Sequence, residues 1–125
     1  MISVVRRLLL ILTASSAFSL TCSAMDLSAY QKIRPGLDND PANGMYIVGL
    51  GKGVFWANTV VKLKKQPPLF CPSAKLRITG DFVISLLNEE IDQAAAGGHP
   101  HAQNEDIELV MVMAFLRRFP CPEAP

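Results

Sequence analysis

The sequence is poor in the residues on which catalysis and metal binding most often depend. It contains two histidines, His99 and His101, and three cysteines, Cys22, Cys71 and Cys121. The histidine pair could supply two metal ligands, but no nearby cysteine or acid offers a third at a usual spacing. We therefore interpret it as part of an exposed polar loop. Because no nucleophile, base and orienting group stand in a recognisable set, we predict a protein without enzymatic activity, metal or cofactor.

Phosphate-binding motifs are also missing, although the run GLGKG at residues 49–53 looks like one. A P-loop needs Ser or Thr directly after Gly-Lys, and here Gly53 follows Lys52. The dinucleotide pattern needs a sixth-position glycine, where this chain has Val54. On a helix, Gly49, Gly53 and Ala57 instead form one smooth row, and we predict that a neighbouring helix packs closely against it because buried-helix glycines need compensation.

No apolar run is long enough to make a good membrane span. The start of the chain has Arg6 and Arg7, a short apolar block, and small residues ending at Ala24. This order predicts a signal peptide over residues 1–24, cleaved after Ala24, and a periplasmic protein without membrane insertion after signal removal. The alternative is a lipoprotein acylated at Cys22. We favour cleavage, since Thr21 precedes that cysteine where lipoprotein signals usually carry Gly, Ala or Ser.

An excess of charge of either sign is absent. Loss of Arg6 and Arg7 with the signal leaves ten basic and eleven acidic residues. This balance gives no reason to expect nucleic acid or an anionic membrane as a partner. Loss of Cys22 leaves two cysteines, Cys71 and Cys121, and an even count in a small exported domain predicts a disulfide. The alternative is two separate buried thiols.

No stretch has the alternating pattern of a strand, and we predict an all-α fold, a small bundle of about four helices with one disulfide. Residues 25–125 form the predicted single domain. The helices are expected over about 26–33, from 41 or 43 to 65, after an N-cap at Thr79, and after an N-cap at Asn104.

The last two helices have the clearest apolar faces. In the third helix the apolar face is expected to hold Phe82, Val83, Leu86, Leu87 and Ile91, with Asn88, Glu89, Glu90 and Asp92 facing solvent. In the fourth helix Ile107, Val110, Met111, Ala114 and Phe115 follow the helical period. Further apolar residues on its other side make it apolar nearly all round, so we expect it to be the central helix.

The order of these segments resembles a known family. The stretch MYIVGLGKGVFWAN, the loop PPLFCP, the Thr-capped helix and the ending FLRRFPCP are similar to the Rap1a/Tai family of type VI secretion immunity proteins over about residues 41–122. The resemblance implies a small α-helical fold with the two cysteines bridged. It also implies a periplasmic protein that binds and inhibits a secreted peptidoglycan amidase effector by occluding its active site.

Two other functions stay open. The protein could be a general periplasmic helper such as an acid-stress chaperone, or a Rap1a-like domain without an immunity role. The sequence also leaves a homodimer open. A partner-occluding element is expected in the connectors at 66–73 and 96–104, because binding loops project from rigid scaffolds. We favour the first connector, which Cys71 tethers, and predict Leu69 and Phe70 as its partner-binding residues. Leu69 is the safer surface position, and a core position stays open for Phe70.

Overall fold

A computed structural model of the chain describes residues 24–123. In this part of the chain it contains four α-helices, here α1 to α4, and one 3-10 helix between α1 and α2. They span Leu27–Ile33 (α1), Arg34–Asn39 (the 3-10 helix), Pro41–Leu63 (α2), Gly80–Ala96 (α3) and Ile107–Arg118 (α4). No strand occurs between residues 24 and 123, so the predicted all-α bundle is confirmed. Apart from Ala24, the predicted signal peptide lies outside the described residues.

The first three α-helices each begin at a side chain that accepts a backbone N–H of the first turn. Asp26 accepts from Ala29 at 2.7 Å, and Asp40 accepts from Asn43 at 3.2 Å. Thr79 accepts from the Phe82 N–H at 3.2 Å, which confirms its predicted role as N-cap. These acceptors satisfy backbone donors that have no partner within the helix.

Helix α4 begins two residues later than an Asn104 cap would place it. Asp26 and Asp106 form an isolated antiparallel bridge. The Leu27 N–H donates to the Glu105 carbonyl at 2.9 Å, and the Ile107 N–H donates to the Met25 carbonyl at 3.0 Å. This pairing holds Asp106 in an extended conformation, so the helix starts only at Ile107. The expected cap at Asn104 was wrong for this reason.

The core lies between α3, α4 and the inner face of α2, with α1 packed against α4. All five apolar positions predicted for α4 are buried, and four of the five predicted for α3 are, while Phe82 is half-buried. The cluster of buried residues comprises Leu27, Tyr30, Leu37, Ile47, Phe70, Val83, Leu86, Leu87, Ile91, Ile107, Val110, Met111, Ala114 and Phe115.

Helix α4 packs against α1, α2 and α3, as expected of a central helix, but its outer face is exposed. Leu109, Met113 and Leu116 are among the exposed large apolar side chains. They lie at i, i+4 and i+7, which is one stripe of an α-helix. Helix α4 therefore has apolar residues on all sides, but it is buried on only one of them.

The α2 glycine that packs against a neighbouring helix is also not the one that was predicted. Gly49, Gly53 and Ala57 are exposed, and nothing lies within 4 Å of a Cβ placed on either glycine. The close approach occurs at Gly51, which is buried, and where a Cβ would overlap the side chain of Val83. The predicted packing of the smooth row was thus wrong. The glycine that permits contact between α2 and α3 is Gly51.

Polar contacts join α1 and the 3-10 helix to α3. The Tyr30 hydroxyl donates to Asn88 Oδ1 at 2.8 Å, and burial raises the pKa of that phenol. The Arg34 guanidinium donates to both oxygens of Asp92 at 2.8 and 2.7 Å. This bidentate bond lowers the pKa of the Asp92 carboxyl and raises the pKa of Arg34.

Candidate functional site: the disulfide-anchored connector

The segment after α2 is fixed to the end of the chain by a covalent bond. Cys71 and Cys121 form a disulfide with their Cα atoms 4.8 Å apart, which confirms the predicted pairing. Beside it, the Cys71 N–H donates to the Phe119 carbonyl at 2.8 Å. The connector and the residues that follow α4 are therefore held together by a covalent bond and a backbone hydrogen bond.

A second attachment comes from one amide side chain in the C-terminal third of α2. Asn58 is buried. Its Nδ2 donates to the Phe70 carbonyl at 2.8 Å, and its Oδ1 accepts from the Leu69 N–H at 2.7 Å and from the Phe70 N–H at 3.3 Å. Because one buried side chain satisfies three backbone groups of an irregular segment, it determines the path of the connector.

Leu69 and Phe70, both predicted to contact a partner, point to different environments. The Leu69 side chain is 61% exposed. Phe70 is 0% exposed and stacks on Phe115 with ring centroids 4.8 Å apart. The Phe70 part of the prediction is therefore corrected to a core role, because its ring fills the space beside α4. Leu69 is the exposed apolar residue of the connector.

The second connector, at 96–104, is also attached to the bundle. The polar contacts that hold it were not predicted from the sequence. His99 is exposed as expected. The His101 side chain is only 10% exposed, and its Nε2 lies 2.9 Å from Glu90 Oε1. Its Nδ1 lies 3.1 Å from Glu105 Oε2. Glu90, predicted to face solvent, is buried, and its second oxygen lies 2.7 Å from Arg117 Nε.

These four side chains, Glu90, His101, Glu105 and Arg117, form a polar cluster that joins α3, α4 and the second connector. A general acid or base must reach its substrate. The Glu90 side chain is 1% exposed, and both of its oxygens face protein cations or imidazole. The arrangement therefore suits a structural attachment. Between residues 24 and 123, no group of three or more His, Cys, Asp or Glu side chains is placed to hold a metal ion.

Sequence reasoning missed Asn58, Glu90 and His101 as attachment points. For Asn58 a signal existed, since it is an amide within the largely apolar run VFWANTVV. Glu90 follows Leu86 by four residues and Leu87 by three, so its position was on the buried face although its chemistry suggested solvent. For His101 no local pattern indicated burial, because its partners come from α3 and from the turn before α4.

The large apolar side chains that are exposed lie on only part of the described surface. Five are on α2, three are on α4, and Leu69 is on the connector: Met45, Tyr46, Trp56, Val60, Leu63, Leu69, Leu109, Met113 and Leu116. Helices α1 and α3 contribute none of these. Trp56, Val60 and Leu63 are spaced at i, i+4 and i+7 on α2, and a contiguous exposed apolar patch of this kind is typical of surfaces that bind another molecule.

Within the described part of the chain, no helix combines the length and the apolar character needed to cross a membrane. Comparisons of the chain with models of protein families, with curated proteins and with solved structures gave no match.

Proposed function

We propose that this protein acts by binding another protein, as a periplasmic immunity protein that inhibits a secreted peptidoglycan amidase effector by covering its active site. The observation that carries the proposal is the exposed Leu69 side chain on a connector that two attachments hold in place. Asn58 holds the backbone of Leu69 and Phe70, and the disulfide holds the next residue, Cys71.

A fixed connector is suited to inhibition because binding then orders little additional chain. Ordering a mobile loop lowers affinity, whereas a preorganised segment loses less conformational freedom. An apolar side chain at the centre of an interface can insert into a pocket of the partner and supply much of the binding free energy. Leu69 meets both conditions, since it is exposed and its backbone is held in place.

The disulfide supports the compartment in the proposal. Disulfides persist in oxidising environments such as the bacterial periplasm and are rare in the cytosol. Cys71 and Cys121 are bonded, which is compatible with export. The resemblance to immunity proteins supplies the amidase as the class of target.

The test is co-expression in the periplasm with amidase toxins encoded in the same genome. The wild-type protein is expected to protect the cells. The Leu69→Asp variant is expected to protect poorly and to raise the Kd for the purified amidase by about tenfold or more, as for a truncated interface anchor. Binding is measured by calorimetry, and circular dichroism establishes that the variant is folded.

The matched control is Leu109→Asp, which places the same charge at another exposed leucine, 51% exposed, on α4. It is expected to keep wild-type affinity. If Leu69→Asp binds as tightly as the wild type, the connector is not the contact surface. If the wild type neither binds nor protects against any amidase of that genome, the immunity proposal is wrong.

A further inference from the structure

Although the chain is close to neutral overall, its acidic and basic residues are distributed unevenly along the sequence. Residues 41–80 contain no aspartate or glutamate, and residues 81–125 contain eight acids and only two arginines. The first of these segments covers α2 and the connector. Its six cations are Lys52, Lys62, Lys64, Lys65, Lys75 and Arg77.

The fold gathers these cations around the C-terminal half of α2. Ala74, Leu76 and Ile78, which lie between the connector and α3, line one groove together with Trp56 and Lys52 of α2. Lys75 and Arg77 alternate with these groove residues, so their backbone lies beside α2 while both side chains are exposed. All six cations are exposed, and none forms an ion pair with a residue between 24 and 123.

Apolar side chains are exposed among these cations. Trp56 is 61% exposed, Val60 47% and Leu63 76%. Lys52, Trp56, Val60 and Leu63 stand at i, i+4, i+8 and i+11, so they form one stripe along α2. We name this stripe, together with the other five cations, the basic face.

We propose that the basic face binds the surface of an anionic lipid bilayer, with α2 lying along the membrane. Its composition distinguishes a lipid surface from a protein partner. Five of its six cations are lysines, and lysine is depleted in protein–protein interfaces. Tryptophan is enriched at membrane–water interfaces, where its ring lies at the level of the headgroups. Anionic headgroups attract such cations without requiring a fixed geometry.

This inference does not depend on the proposed inhibition of an amidase. Leu69 is not part of the basic face, and contact with lipid through α2 involves none of the residues on which the inhibitor proposal rests. The arrangement would hold the protein at a membrane surface without crossing it, in agreement with the lack of a membrane-spanning helix among residues 24–123.

Trp56 is the only tryptophan of the chain, so its fluorescence reports on the basic face directly. The experiment mixes the purified, oxidised protein with vesicles of phosphatidylglycerol and phosphatidylethanolamine, and separately with phosphatidylcholine vesicles. We expect a blue shift of Trp56 emission and co-sedimentation with the anionic vesicles alone. Both should weaken as salt is raised, since screening shortens the range of the attraction.

A matched pair of variants identifies the cations responsible. Lys64→Gln is expected to weaken binding to the anionic vesicles about fivefold, as for one cation near the membrane surface. Lys32→Gln removes an exposed lysine of α1, which is outside the basic face, and should leave binding unchanged. The triple change of Lys62, Lys64 and Lys65 to glutamine should weaken binding roughly a hundredfold.

Absence of binding to the anionic vesicles would overturn the proposal, as would equal binding to phosphatidylcholine. Equal losses in Lys64→Gln and Lys32→Gln would show that net charge, and not the basic face, is responsible. If the triple variant loses affinity for an amidase while the wild type binds no vesicle, the basic face is a protein interface and the lipid assignment is wrong.

Discussion

Gly51 and Gly53 are two residues apart on α2, and the same substitution should have opposite effects at the two positions. A Cβ at Gly51 would overlap Val83, a buried β-branched side chain that has little freedom to move. Gly51→Ala is therefore expected to destabilise the fold by about 1–3 kcal/mol through overpacking. Gly53 has open space around it, and Gly53→Ala should stabilise by about 0.4–1 kcal/mol, since alanine favours the helix.

Urea unfolding of the two variants measures both effects. The comparison is internally controlled, because the added methyl group and the helix are the same. Stabilisation by Gly51→Ala would contradict the close packing of α2 on α3, and destabilisation by Gly53→Ala would restore the original expectation that this glycine contacts a neighbour.

Asn58 offers a test of how the connector is held. Replacing it with leucine removes the partners of the Phe70 carbonyl and of the Leu69 and Phe70 amides. Each buried polar group left unpaired costs about 1–3 kcal/mol, so Asn58→Leu should destabilise by at least about 2 kcal/mol. Hydrogen exchange should accelerate at the amides of Leu69 and Phe70.

The control for Asn58 is Thr59→Val, since Thr59 is the adjacent residue and its hydroxyl donates only to the carbonyl of Phe55 within α2. This variant should leave exchange in the connector unchanged. If Asn58→Leu also leaves the Leu69 and Phe70 amides unchanged, Asn58 does not determine the path of the connector.

His101 and His99 form another matched pair on one connector. His101 lies between Glu90 and Glu105, whereas His99 is exposed. His101→Ala is expected to lower the free energy of unfolding by about 1–3 kcal/mol, because Glu90 then keeps a buried oxygen without its partner. His99→Ala should change it by less than about 0.5 kcal/mol. Thermal or urea unfolding at neutral pH distinguishes the two, and equal effects would contradict an attachment role for His101.

The helices differ in how much of their packing the sequence could predict. The period of α4 identified its buried side correctly because Ile107, Val110 and Met111 repeat at helical spacing. In α2 the apolar residues occur all round, so periodicity could not choose between the side holding Gly51 and the side holding Gly53. Which side is buried depends on α3, which meets α2 only in the folded chain.

The polar attachments were harder to predict for a related reason. Asn58 contacts residues 11 and 12 positions away, and His101 contacts Glu90, 11 positions before it. A local pattern shows the type of each side chain but not the partner that makes its burial favourable. The anchored connector could be located from Cys71, and Leu69 could be preferred as its surface position, but the burial of Phe70 against Phe115 required the fold.

The contact between the 3-10 helix and α3 predicts a pH dependence. The bond from Arg34 holds the pKa of Asp92 below its ordinary value of 3.8. A carboxyl whose pKa is lowered by folding stabilises the fold above its unfolded pKa, and this contribution is lost as the pH falls through the folded value. The wild type should therefore be more stable than Asp92→Asn at pH 6, and the difference should shrink as the pH falls below about 4 and vanish only below the lowered pKa of the folded protein.

Melting temperatures from pH 6 to pH 2.5 measure this difference. Asp38→Asn is the control, because Asp38 is exposed and makes no side-chain hydrogen bond or ion pair within the described residues. A difference between the wild type and Asp92→Asn that does not shrink between pH 6 and pH 2.5 would show that the loss comes from packing and not from the ionised pair.

The disulfide acts on the molecule as a whole, because the ring that it closes contains both α3 and α4. Cys71 and Cys121 are 50 positions apart, and closing a loop of this length stabilises a fold by about 4 kcal/mol on the chain-entropy estimate. Domains of this size have total stabilities of about 5–15 kcal/mol. The double change of Cys71 and Cys121 to serine should therefore remove a large fraction of the stability.

Urea unfolding with and without a reducing agent provides the measurement. Reduction should lower the wild-type midpoint to that of the double variant and leave the midpoint of the double variant unchanged. An unchanged wild-type midpoint after complete reduction would mean that noncovalent contacts alone, including the bond from Cys71 to the Phe119 carbonyl, hold the end of the chain on the bundle.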